Sequence, residues 1–142
     1  LTLCNWVWPM TMSPSKSRDY RGDLDLEAKF YTAVTGEEMT RDELYKRAAS
    51  VMTLQRANTV RGMGTTDMRN EHDTITEWVF TNDIQPFTAG TDKMEREDFQ
   101  TALGMVYKEF GWDEKTGAPT AACLDDYGMG DVKDELASLN LL

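Results

Sequence analysis

Cysteine is scarce in this sequence: its 142 residues include 2, at positions 4 and 123. A secreted scaffold stapled by disulfides would be Cys-dense, so the pattern points to a reducing, cytoplasmic setting. Long apolar runs are missing too. Leu1 to Met10 is apolar and carries Trp6 and Trp8, but it has no basic leading region and breaks at Pro9. Neither a signal peptide nor a membrane span of about 20 residues fits it. Positive charge is in short supply, with 15 Lys+Arg against 25 Asp+Glu and a formal net charge of -10. That balance argues against nucleic acid, whose phosphates need clustered Lys and Arg, and against an anionic membrane surface.

What is present is the make-up of a globular protein: 40% hydrophobic, 28% charged and 10% aromatic residues, the aromatics spread along the chain. At roughly 100–200 residues per domain the length allows one domain, at most two. A chain of this size buries about 70% of its unfolded surface, enough for a core without disulfides or a metal clip.

Glycines, prolines and caps divide the chain into an irregular stretch over residues 1–22 and a helical domain over 23–142. Asp23 is expected to cap a first helix with Leu26, Phe30 and Val34 at i, i+4 spacing and Gly36 as its stop. Thr40 and Glu43 form a capping box. The helix it opens is expected to reach about Val60, with Leu44, Ala48, Val51, Met52 and Leu54 buried. Residues 62–93 read as packed loop with one helical turn. A further helix is expected from Asp92 to Gly111, with Phe99, Leu103, Val106 and Phe110 as its stripe. A short helix from Pro119-Thr120 to Gly128 follows, then a last one capped by Asp131 and carrying Val132, Leu136 and Leu139. The class is mostly α, multihelical, with long ordered loops.

Few residues suggest chemistry. His72 is the single histidine, the side-chain type most used as a general base or metal ligand, and it has carboxylate neighbours, yet adjacent side chains diverge, so a structural or surface role is the simpler reading. Cys123, beside Ala121, Ala122 and Leu124, reads as a core thiol. Cys4, among Leu3, Trp6 and Trp8, reads on its own as a buried inert thiol. Arg61-Gly62-Met63-Gly64-Thr65 follows a helix and lacks the Lys-Ser/Thr pair of a phosphate loop. The acidic residues of Glu95–Asp98 and Asp131–Glu135 suit the first turns of helices.

Three stretches in order resemble the C-terminal part of the aldehyde ferredoxin oxidoreductase family of tungsten or molybdenum pterin enzymes. Leu3-Cys4 is similar to the end of that family's Asp-x-x-x-Leu-Cys motif, with Thr2 where many members have Gly. Leu54 to Gly64 followed by Arg69-Asn70-Glu71-His72-Asp73 is similar to a helix and loop written Asn-x-Arg-Glu-Gly and Arg-Lys-Asp-Asp, with Gly62 in place of the Glu. Gly111-Trp112-Asp113, Gly117-Ala118-Pro119-Thr120, Leu124 and Gly128 resemble the closing Gly-Trp-Asp-x-x-Gly-x-Pro-Thr turn.

The resemblance implies that Cys4 is the last ligand of a [4Fe–4S] cluster, with Leu3 and Asn5 on the cofactor side and the other three cysteines upstream. It implies no catalytic residue in this chain, since His72 does not map onto the family's active-site His. The implied cofactors are the cluster and a tungsten or molybdenum bis-pterin, both needing upstream residues. The implied partners are the remainder of the enzyme and a ferredoxin-like electron acceptor, with a homodimer left open. The expected activity is oxidation of aldehydes to carboxylic acids, with this piece inert alone and the absent initiator Met explained by a longer chain. The competing expectation is a free-standing acidic helical interaction module anchored by Trp6, Trp8 and Trp78.

Overall fold

A computed structural model describes residues 22–82 and 94–142. The chain divides into two compact units, residues 1–49 and 50–142. Seven helices occur among the described residues, and the one β pairing there is an isolated bridge between Trp112 and Pro119. The mostly α expectation holds. None of the described helices is long and apolar enough to cross a membrane.

In the first unit α1 spans Leu26–Thr35 and ends at Gly36, whose φ of 74° is the left-handed conformation that a stop glycine supplies. Its N-cap is Asp25, not Asp23; the Asp23 carboxylate instead accepts from the Asp25 backbone N–H and from Lys29. The expected stripe is also displaced, because Ala28 is the buried residue of α1 while Val34 is exposed. Helix α2, Arg41–Met63, opens with the expected capping box: Thr40 N–H donates to Glu43 Oε2 at 2.8 Å and Glu43 N–H to Thr40 Oγ1 at 3.3 Å.

The second unit holds the larger core. Helix α2 continues past Val60 to Met63 and stops at Gly64, φ 70°. Its buried face is Thr53, Ala57 and Val60; Val51, Met52 and Leu54, expected inside, are exposed. Where loop with one turn was expected, two helices of 4 residues form, α3 at Met68–Glu71 and α4 at Trp78–Thr81. Helix α5 runs Arg96–Phe110 with Glu95 as N-cap, and the expected start at Asp92 lies outside the described residues. Tyr107 is its fully buried residue, whereas Val106 is exposed. Helix α6, Ala121–Asp126, starts as expected at Thr120, whose hydroxyl accepts from Cys123 N–H at 3.1 Å. Helix α7, Gly130–Ser138, begins before Asp131 with Met129 as its N-cap; Leu136 and Leu141 are buried and Leu139 is exposed.

Two apolar clusters result. Ala57, Val60, Met68, Ala118, Leu124, Leu136 and Leu141 form one. Tyr107, Trp112 and Cys123, backed by Leu103, Phe110 and Tyr127, form the other.

Candidate functional site

In the second unit Arg56, His72 and Tyr107 converge on Asp73. It follows α3, whose N-cap Asp67 accepts from Asn70 N–H, and it closes that turn by donating its own N–H to Met68 O at 2.7 Å. Arg56 on α2 reaches it with two prongs, Nη1 to Oδ1 at 3.0 Å and Nη2 to Oδ2 at 2.8 Å. From α5 the Tyr107 hydroxyl donates to Oδ2 at 2.6 Å, and His72 Nδ1 lies 2.7 Å from Oδ1. An ionised carboxylate only accepts, so His72 Nδ1 carries the hydrogen in that bond.

Burial pushes the Asp73 carboxyl up, but the hydrogen bonds from Arg56, Tyr107 and His72 outweigh it and hold the group below the usual carboxylate range. Tyr107 is raised instead, by burial first and by its hydrogen bond to Asp73 second. With two donors on each oxygen, Asp73 has its lone-pair positions filled. It is therefore spent as a base or metal ligand. Its role is to tie α2, the α3 turn and α5 together.

Aromatic rings wall this ion pair off from water. The Arg56 guanidinium lies 4.6 Å from the Trp112 ring centroid, Trp112 stacks on Phe110 at 4.7 Å, and Trp112 Nε1 donates to the buried Thr53 hydroxyl at 3.1 Å. Arg69 lies 4.9 Å from the Tyr107 ring centroid and donates to the carbonyls of Gln100 and Glu114.

The turn after α5 seals the same region. Gly111 caps α5 with φ 71°, and Asp113 Oδ1 accepts from the backbone N–H groups of Lys115 and Thr116, folding the chain back on itself. Gly117, φ 76°, then sits so close to Tyr107 that a Cβ would fall 2.6 Å from the ring's Cζ. These Gly, Trp, Asp, Gly and Thr positions thus have packing and capping reasons of their own.

The family model described as aldehyde ferredoxin oxidoreductase, domains 2 & 3, matches residues 1–129. The chain belongs to the aldehyde ferredoxin oxidoreductase family. No solved structure matches it. The second and third stretches that carried the resemblance are, in this aldehyde ferredoxin oxidoreductase region, the walls of the Asp73 hub. Leu3, Cys4 and Asn5, the residues expected at the cofactors, lie outside the described residues, as do Trp6 and Trp8.

No group of three His, Cys, Asp or Glu side chains able to hold a metal ion occurs among the described residues. The described cysteine, Cys123, does not suit a cluster of the kind this family implies: it is buried, donates to Phe110 O at 3.2 Å, and has its thiol pushed up by burial. The core reading of Cys123 holds. Arg61–Thr65 spans the C-terminal end of α2 and the two residues after it, where the helix dipole repels anions, which agrees with the reading against a phosphate loop. His72 is half exposed and anchored through Nδ1, as a structural role requires, although it does share a site with its chain neighbour. Periodicity pointed to neither Arg56 nor Tyr107 as a partner of Asp73. The Arg56 and Asp73 positions lay within the family-like stretches, and that was the available signal.

Proposed function

We propose that this chain is the helical C-terminal portion of a tungsten- or molybdenum-pterin oxidoreductase that oxidises aldehydes to carboxylic acids. The family match over residues 1–129 carries the reading. The bound pterin metal would supply the redox chemistry, and a [4Fe–4S] cluster would pass the electrons to a ferredoxin-like acceptor. Cys4 is assigned as one cluster thiolate, with Leu3 and Asn5 beside it, and the other ligands come from the remainder of the enzyme. The described helices serve as scaffold, fixing the helix, turn and closing loop through Asp73 without lending a proton-transfer group. The matched description covers domains 2 & 3, so this chain by itself is expected to be inert.

The test uses the whole enzyme produced anaerobically, with iron content, the spectrum of the reduced cluster and aldehyde-dependent reduction of a ferredoxin as readouts. Cys4→Ser should lower the iron content and alter the cluster spectrum, while Cys123→Ser should leave both as they are. Full cluster content and an unchanged spectrum in Cys4→Ser would overturn the assignment of Cys4. A metal-loaded enzyme that reduces no acceptor with any aldehyde would overturn the reaction.

A further inference from the structure

We draw no further inference here: the strongest candidate, the open apolar groove of about 200 Å³ between α4 and α5 lined by Ile75, Phe80, Arg96 and Phe99, carries nothing because both helices lead into residues 83–93, outside the described residues, and nothing in the structure shows what covers it.

Discussion

Arg56 and Asp73 form a two-pronged ion pair, 3.0 and 2.8 Å, with side chains only 12% and 11% exposed. Burying two charges is costly, and their attraction offsets that cost only while both are present. Removing one partner therefore leaves an uncompensated charge under the Trp112 ring. Asp73→Ala is expected to destabilise the second unit by about 3–5 kcal/mol, read as a shift in the urea midpoint. Replacing both partners, Arg56→Met with Asp73→Leu, should recover much of that loss. A double variant as unstable as the sum of the two singles would show that the pair does not interact as described.

Gly117 separates two costs that usually come together. Its φ of 76° penalises any side chain, and its Cβ position lies 2.6 Å from the Tyr107 ring. Gly128 has the same handedness, φ 70°, with open space around it. Gly128→Ala should cost about 1–2 kcal/mol for backbone alone. Gly117→Ala should cost about 1–3 kcal/mol more, for the collision in a packed site. Equal losses in thermal unfolding would mean that Tyr107 moves aside freely.

The parts of this fold legible in the sequence are those fixed locally. The Thr40 and Glu43 box, the Gly36 and Gly111 stops and the Thr120 cap are each settled by residues within a few positions of one another. The buried face of α2 is different. Val51, Met52 and Leu54 are the apolar choice on that helix, but Thr53 and Arg56 turn inward because Trp112, Asp73 and Tyr107, distant in sequence, satisfy their polar atoms. Hydrophobic periodicity has no means of registering a polar residue whose partner lies on another helix. The same limit hid Tyr107, whose hydroxyl reads as a surface group until Asp73 is placed against it. Of the candidate site, the Asp73 region was visible only as a family stretch, since its chemistry is distributed over α2, α3 and α5.

Acid should expose the Asp73 hub. The carboxyls of Asp73 and Asp113 both sit below the usual range in the folded chain, Asp113 chiefly through the Thr116 backbone N–H. A depressed folded value means that the stabilisation is present above the unfolded value, about 3.9, and is lost as pH falls through the folded one. Urea midpoints followed from about pH 6 to about pH 2 should fall on the acid side. Asp73→Asn should start from lower stability and show a shallower fall, because one of the linked protons is gone. An acid limb of unchanged slope in Asp73→Asn would place the linkage elsewhere.

Cys123 offers a probe of whether the second cluster opens. The thiol is 5% exposed, donates to Phe110 O, and burial raises it above the ordinary thiol range, with the Thr53 hydroxyl only partly opposing. Alkylating reagents attack the thiolate, so labelling at mildly alkaline pH needs both deprotonation and local opening. Opening here would have to separate Cys123 from Trp112 and Tyr107, the packed members of its cluster. Labelling of Cys123 in the native chain is expected to be at least roughly 100-fold slower than in urea, the factor set by an opening free energy of about 3 kcal/mol. Peptide-resolved mass spectrometry distinguishes it from Cys4. Thr120→Ala removes the α6 cap, worth about 1 kcal/mol, and should speed Cys123 labelling several-fold by loosening the helix that carries it. Native labelling as fast as in urea would show that the Tyr107, Trp112 and Cys123 cluster is not closed.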